Sequence, residues 1–225
     1  AGIIIGSVFV SGLGLKFTQS VIDLSGGVLF ILLCLTAISA IILGMGMTTT
    51  AVYITVAALI VPSLIEAGII PIAAHMFAFY FGVVSTITPP VALASFAGAA
   101  IAKSPPMATA VESSKVGIAK YIVPFAFVYN PSLLMEGPII WSLYSLIAVL
   151  LAYWLMTLGL EGWFNGKLNT YKRTLVLLGS VTLLIPPLEI IYGLNGFYYN
   201  LVGVLVLLII YFLQDKLTFK SKVTT

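Results

Sequence analysis

The sequence predicts an all-α polytopic membrane protein, and three observations lead to this fold class. Of the 225 residues, 61% are hydrophobic and only 8% are charged, whereas a soluble domain carries about 25% charge. The mean hydropathy is +1.18. A chain of this composition has more apolar surface than a soluble fold of the same length can bury. Apolar runs long enough to be membrane helices also recur along the whole chain.

Eight apolar segments are candidate membrane helices, because a crossing needs about 20 apolar residues. They are residues 1–15, 26–43, 49–65, 71–102, 118–134, 138–160, 174–192 and 197–214. The first segment lacks an initial Met and a preceding basic region. We therefore expect that the given sequence starts inside a helix, within the C-terminal portion of a longer polypeptide, and does not start with a signal peptide.

Residues 26–65 contain two short apolar arms separated by "GMGMTT", which begins at Gly44. Glycine and threonine are poor choices for the interior of a continuous helix, and each arm is short for a full span. The pattern favours a re-entrant hairpin with its tip at Gly44 to Thr50. Two full spans remain the alternative, because the charges of the flanking loops are compatible with both arrangements.

Residues 71–102 are too long for one crossing, since roughly 48 Å of helix would face a hydrocarbon core of about 30 Å. The segment includes "STITPPVALAS", residues 85–95. Pro89 and Pro90 have no N–H group, and a proline disfavours helix at the residue before it. The sequence thus predicts a broken helix whose free carbonyls need protein, water or an ion as partners, because lipid offers none.

Basic residues predict the orientation of the remaining segments. Two crossings separate each of three basic clusters from the next, so all three fall on one side, which the positive-inside rule assigns to the cytoplasm. Counting back across residues 71–102 puts Glu66 outside. We divide the chain into a first region, residues 1–137, ending with a helix over 118–134, and a three-helix membrane extension, residues 138–225. The clusters are Lys103, Lys115 and Lys120; Lys167, Lys172 and Arg173; and Lys216, Lys220 and Lys222.

The hairpin tip and the broken helix together predict a binding site. Half-helix N-termini suit an anionic substrate, while unwound carbonyls and hydroxyls suit Na⁺, as in other transporters with paired interrupted helices. We expect Na⁺ ligands among Gly44, Gly46, Thr49, Ser85, Thr86 and Thr88. We expect substrate contacts from Thr48, Thr50, Pro89 and Pro90.

Packing is the alternative interpretation of the same residues. A threonine in a membrane helix commonly donates to a carbonyl of its own preceding turn, and a glycine commonly lets two helices approach. A Gly/Thr tip paired with a Pro-Pro break is harder to explain by packing alone.

Several other function classes lack their sequence signatures. The chain contains no P-loop, H-E-x-x-H, C-x-x-C or G-x-S-x-G motif, so we expect no enzyme. No basic stripe lies outside the membrane segments, which argues against nucleic-acid binding. The single Cys34 stands in an apolar run and is interpreted as a packing residue.

Four stretches of the sequence resemble the large membrane subunit of TRAP transporters. They are "GLGLKFTQSVIDLSGG", "IILGMGMTTTAVYI", "AAHMFAFYFGVVSTITPPVALASFAGAAIA" and "VPFAFVYNPSLL". The resemblance covers roughly residues 1–137 and points to the fused-permease type associated with TAXI-class binding proteins. That family usually has proline where this chain has Thr48, a departure that changes the tip.

The resemblance implies a Na⁺-coupled secondary importer of small organic acids, dicarboxylate or glutamate-like, in a bacterial or archaeal inner membrane. It implies the second inverted repeat of an elevator-type transporter, with the N-terminal half and the small-subunit region elsewhere in the same polypeptide. A periplasmic TAXI-type protein would deliver the substrate. The alternatives are a proton-coupled or binding-protein-independent carboxylate transporter, or a non-transport membrane scaffold subunit. A scaffold, however, needs no pair of interrupted helices.

Overall fold

The computed structural model describes residues 2–164, 166–187, 190–191 and 194–223. The chain folds as two compact units, Ala1–Leu134 and Met135–Thr225. Apart from one pair of two-residue strands, the regular structure in the described residues is helical. The predicted all-α class is therefore confirmed, whereas the boundary predicted between residues 137 and 138 stays a prediction about domains.

The first unit contains nine helices among its described residues, followed by a 3-10 turn at Pro131–Leu134. Short turns containing glycine or proline separate most of them, which suits a chain that reverses direction often. They are α1 (Gly2–Ser11), α2 (Leu13–Ser25), α3 (Leu29–Gly44), α4 (Thr49–Leu59), α5 (Val61–Glu66), α6 (Pro71–Val84), α7 (Leu93–Ala102), α8 (Pro106–Val116) and α9 (Ala119–Tyr129).

Four stretches of the first unit differ from the predicted helices. A single arm was expected over residues 49–65, but it consists of α4 and α5, which meet at Ile60. A single helix was expected over residues 1–15, but α1 and α2 meet at Gly12, whose φ of 65° is left-handed, a conformation open chiefly to glycine. A single helix was expected over residues 118–134, but α9 ends at Tyr129 and the 3-10 turn follows it. Helix α8 was not predicted, because its sequence is polar enough to read as a loop.

The core of the first unit lies between α3, α4, α6 and α9. Leu33 on α3 and Phe77 on α6 are fully buried. The ring of Phe77 lies 4.8 Å from that of Phe81 and 5.4 Å from that of Phe125 on α9. Gly82 allows α6 to approach α4 closely, since a Cβ atom there would lie 2.8 Å from Val52 Cγ1 on α4. Small residues at such crossings let helices pack tightly in membranes.

Buried hydroxyl groups within this core are satisfied locally. Thr36 Oγ1 donates to the Leu32 carbonyl at 2.9 Å, and Thr55 Oγ1 donates to the Ala51 carbonyl at 2.9 Å. Such bonds to the preceding turn remove the cost of burying a polar group in an apolar environment. These hydroxyls are structural rather than available to a ligand.

The second unit contains three long helices: α10 (Ile139–Glu161), α11 (Thr170–Leu183) and α12 (Gly196–Val223). A short antiparallel pair, β1 (Ile190–Ile191) and β2 (Leu194–Asn195), precedes α12. The helix predicted over residues 174–192 is wrong in its bounds, because α11 begins at Thr170 and ends at Leu183, and residues 190–191 form β1. Residues 188, 189 and 192 of that segment lie outside the described residues, as does residue 1 of the predicted helix 1–15.

Arg173, the single arginine of the sequence, holds the C-terminal end of α10. Its Nε donates to the Gly159 carbonyl at 2.9 Å, and its guanidinium also donates to the Leu160 carbonyl at 2.6 Å. The last carbonyls of a helix lack intrahelical partners and carry partial negative charge, so a cation there is favourable. This arginine therefore has a structural role.

Among the described residues, one helix is long and apolar enough to cross a membrane unaided, by length and composition, and it is α10. Shorter apolar helices occur at Leu29–Gly44, Thr49–Leu59, Pro71–Val84, Leu93–Ala102 and Gly196–Ile209. Four of these five are the arms of the two interrupted segments, α3 with α4 and α6 with α7. Neither arm of either pair reaches the length of about 20 residues needed for a crossing.

Replacing Leu33 with Ala should lower the thermal unfolding midpoint of the purified protein in detergent. The side chain is fully buried in the first core, and such truncations cost about 2–5 kcal/mol through lost contacts and the remaining cavity. Ile38→Ala on the same helix is the matched control, because that side chain is 56% exposed. Equal shifts for the two variants would contradict the assignment of α3's buried face.

Candidate functional site

The tip between α3 and α4 packs directly against the break between α6 and α7. Gly44, the last residue of α3, is buried, and a Cβ atom there would collide with Ser85 Oγ and lie 2.8 Å from Ser85 Cβ. Gly46, in the loop, has a φ of 78°, and a Cβ atom there would lie 3.8 Å from Val91 Cγ1. The structure thus brings the two interrupted elements together through two glycines.

Helix α4 presents an open N-terminus at this tip. Its N-cap residue, Thr48, has extended backbone and makes no side-chain capping bond. Because no described residue accepts a hydrogen bond from the N–H groups of Thr49, Thr50 and Ala51, they carry the partial positive charge of a free helix start. The side chains of Thr48, Thr49 and Thr50 are exposed, and no described hydrogen bond joins them to the break.

The break after α6 is a tight turn in which only some of the backbone N–H and carbonyl groups are hydrogen-bonded. The N–H groups of Thr86 and Thr88 bond to the carbonyls of Val83 and Ser85, and the Ala94 N–H of α7 bonds to the Thr86 carbonyl at 3.0 Å. Pro89 and Pro90 follow, joined by a cis peptide bond. Among the described residues, no donor contacts the carbonyls of residues 88–91, so these oxygens stay open to a ligand.

The predicted hydroxyl ligands of the break all donate to their own helix. Ser85 Oγ donates to the Gly82 carbonyl at 2.6 Å, and Thr86 Oγ1 donates to that of Val83 at 2.7 Å. Thr88 Oγ1 lies 2.7 Å from the Val84 carbonyl. These are the bonds that the packing interpretation expects. A donating hydroxyl still keeps lone pairs that can accept or coordinate, and Ser85, fully buried against Gly44, is the least accessible of the three.

A chain of hydroxyl groups ties the break to α8 and α9. Thr88 Oγ1 lies 2.6 Å from the Tyr121 hydroxyl, which lies 3.3 Å from Ser114 Oγ. Ser114 Oγ in turn lies 3.0 Å from the Ile87 carbonyl. Gly117 sits where α8 meets α9, and a Cβ atom there would lie 2.8 Å from Ile87 Cδ1. These contacts hold the turn against α8 and α9.

Sequence reasoning missed Ser114, Tyr121 and also Ser95. Tyr121 is 33 residues from Thr88, and nothing in either local pattern indicates that they pair. Ser95, in the first turn of α7, is buried, and its Oγ has no hydrogen-bond partner among the described residues. An orphaned buried hydroxyl needs an explanation, and an unseen ligand or water is one.

The oxygen atoms at this site are neutral. Among the described residues, no group of three His, Cys, Asp or Glu side chains lies close enough to hold a metal ion. Hydroxyl and carbonyl oxygens are hard ligands that fit a monovalent cation, whereas divalent ions in proteins favour carboxylates or imidazoles. The donors at this site are therefore hard oxygen atoms that carry no charge of their own.

The sequence matches the protein family described as "Tripartite ATP-independent periplasmic transporter, DctM component" over residues 1–166. The chain belongs to the DctM family. No curated protein and no solved structure matches the chain. The DctM match includes all of the first unit, and with it both interrupted helices.

Membership in the DctM family confirms the coarser predictions of the sequence. The DctM family is the large integral membrane component of TRAP secondary transporters, a family of transporters and not of enzymes, and such components work with a periplasmic substrate-binding protein. The roles of the individual candidate residues stay predictions.

Gly44→Ala should destabilise the protein by about 1–3 kcal/mol, because the added methyl group overpacks the contact with Ser85. Ser85→Gly should restore part of this loss in the double variant, since it removes the atoms that collide. Thermal unfolding of the four combinations in detergent measures this coupling.

Gly98→Ala on α7 is the control for the alanine substitution, because no atom lies within 4 Å of a Cβ atom at that position. That variant should be neutral or slightly stabilising. Simple additivity of Gly44→Ala and Ser85→Gly would show that the tip and the break do not touch as described.

Proposed function

We propose that the chain is the substrate-translocating part of a Na⁺-coupled TRAP permease that imports small organic acids by an elevator motion. The main observation that supports this proposal is the contact between two interrupted helices, where Gly44 lies against Ser85. Paired broken helices that meet in this way form ion and substrate sites in other secondary transporters. DctM family membership supports the transporter class, and the geometry supports the place of the site.

The substrate end of the proposed site is the N-terminus of α4. The open N–H groups of Thr49, Thr50 and Ala51 can donate to a carboxylate, with the hydroxyl of Thr48 beside them. The turn at Pro89 and Pro90 would form the opposite wall. Arg173, the single arginine, is bonded to carbonyls of the second unit, so the carboxylate is recognised by helix N–H groups and hydroxyls of this chain rather than by a guanidinium.

The ion end of the proposed site uses oxygen atoms of the tip and the break. Thr88 Oγ1, the open carbonyls of residues 88–91 and the exposed hydroxyl of Thr49 are the strongest candidates. Gly44 and Gly46 contribute by close approach of the tip and by their carbonyls. Thr86 is a further candidate, since its hydroxyl, like that of Thr88, donates to its own helix and keeps lone pairs that can coordinate.

Electrostatics supplies the proposed coupling between ion and substrate. A lone carboxylate or a lone cation in a low-dielectric site is costly to bury, whereas opposite charges compensate each other. A site with neutral side chains has no resident charge to compensate either one. Occupation by Na⁺ and carboxylate together is therefore favoured over occupation by one alone, which is the requirement for symport.

The tightness of the contact between the two elements supports the proposed elevator motion. A glycine that leaves no room for a methyl group does not let α3 slide along the break. The tip and the break would therefore move as one body. We further propose that a TAXI-type binding protein delivers the substrate, that the chain belongs to a fused permease in an inner membrane, and that its basic loops are cytoplasmic.

Proton coupling is the second candidate, and the site gives it less support. A proton-coupled site needs a group that titrates within the transport path. No described residue of the tip or the break is a carboxylate or a histidine. His75, the single histidine, lies near the start of α6 and contacts the Tyr53 hydroxyl at 3.1 Å.

Thr88→Val and Thr49→Val should each reduce the stabilisation of the protein by Na⁺. A ligand present at about 100 times its dissociation constant adds roughly 2.7 kcal/mol to the free energy of unfolding. Thermal unfolding in detergent, with NaCl replaced by KCl or choline chloride at equal ionic strength, isolates the Na⁺-specific part. The wild-type protein should show a higher midpoint in NaCl only.

Tyr121→Phe is the matched control, because it removes the hydrogen bond to Thr88 but leaves the threonine oxygen in place. This variant should lose some stability in all three salts and keep its Na⁺-specific shift. An unchanged Na⁺ shift in both threonine variants would contradict the ion site proposed here. Loss of the shift in Tyr121→Phe as well would assign the effect to the hydroxyl network rather than to a Thr88 ligand.

A further inference from the structure

A cavity of about 740 Å³ lies in the first unit at the other ends of α4 and α6. Its described walls come from the junction of α1 with α2, from the end of α4 with α5, and from the start of α6. Most of the surface is aliphatic, contributed by residues such as Leu15, Ala58, Val61 and Ile65. The volume lies within the range of about 300–1,000 Å³ that is typical of ligand sites.

Three polar groups interrupt this apolar lining, and none of them is fully used by the protein. Thr18 is 3% exposed, and its Oγ1 has no hydrogen-bond partner among the described residues. His75 contacts Tyr53 through Nδ1, which leaves Nε2 without a described partner. Glu66 forms no ion pair with any described residue. A buried hydroxyl without a partner is rare enough to indicate a missing one.

The charge at the cavity selects the class of ligand. Glu66 is the single charged residue among the described lining residues, so the cavity has an acceptor for a cation and no partner for an anion. The aliphatic walls favour a ligand with a large apolar part. In the positive-inside topology, Glu66 lies at the outer surface, where a lipid presents its head group while its acyl chain reaches inward.

We propose that this cavity binds an aminophospholipid, with its primary ammonium on Glu66, its phosphodiester outside the cavity at the water-exposed head-group level, and an acyl chain along the aliphatic wall. The unpaired hydroxyl of Thr18 donates to an ester carbonyl of the lipid. A primary ammonium donates three hydrogen bonds, whereas the quaternary ammonium of a choline lipid donates none. Charge-assisted hydrogen bonds to a carboxylate are among the stronger ones in proteins. The site therefore prefers ethanolamine over choline head groups.

Native mass spectrometry of the purified protein tests this preference. Palmitoyl-oleoyl phosphatidylethanolamine and phosphatidylcholine are titrated separately, so that the head group is the single difference between the lipids. The wild-type protein should bind the ethanolamine lipid about three- to tenfold more tightly, the range expected between an exposed and a partly buried ion pair. Equal binding of the two lipids would overturn the proposal.

Three variants locate the effect. Glu66→Gln should abolish the preference, and Glu112→Gln should keep it, because Glu112 is an exposed carboxylate paired with Lys115 and does not line the cavity. Ala58→Trp should fill the cavity and lower the binding of both lipids. If Ala58→Trp fails to fold, comparing the head-group preference of Glu66→Gln with that of Glu112→Gln still tests the proposal.

Two results would refute the lipid site. A preference that survives Glu66→Gln would show that the head group binds elsewhere. Absence of bound lipid in the wild-type protein would show that the cavity is closed by protein or empty. Both results are separate from the Na⁺ experiment, since no residue of this cavity belongs to the proposed ion site.

Discussion

Every backbone N–H and C=O group released where a helix stops inside a membrane has to find a partner other than lipid. An unsatisfied group in hydrocarbon costs several kcal/mol, so an interrupted helix is stable only where another element or a ligand faces it. In this chain, two interruptions face each other, with the end of α3 at Gly44 set against the start of the break at Ser85. The pairing sets the two interruptions against each other, while the first N–H groups of α4 have no partner among the described residues.

Close packing and hydroxyl groups together make this arrangement possible without charged side chains. Gly82 brings α6 against Val52 of α4, and Gly117 brings the α8–α9 junction against Ile87. The Tyr121 hydroxyl then completes a link between Thr88 and Ser114. A neutral frame of this kind holds oxygen atoms in place, and in the proposed site any net charge would come from the ligands.

The sequence predicted the elements whose cause is local, and missed those whose cause is tertiary. The break was predictable because Pro89 and Pro90 lack N–H groups, and the tip because Gly44 and its neighbours disfavour a continuous helix. The turn at Gly12 was missed because a lone glycine in an apolar run is compatible with a continuous helix. The hydroxyl link through Tyr121 was missed because it joins residues 33 positions apart, and no periodicity indicates such a pair.

Helices α4 and α6 connect the two sites inferred for the first unit. Along α4, the nine residues from Thr49 at the tip to Ala58 at the cavity span about 14 Å of helix, and α6 spans a similar length from His75 to Ser85. The two helices are locked together between these ends by the contact of Gly82 with Val52. Because the pair is tightly packed, a lipid held at Glu66 and Thr18 would contact the same rigid body that carries the tip and the break. A lipid bound in the cavity would then anchor one end of that body at the membrane surface. The position from which the proposed elevator motion begins would then depend on the bound lipid.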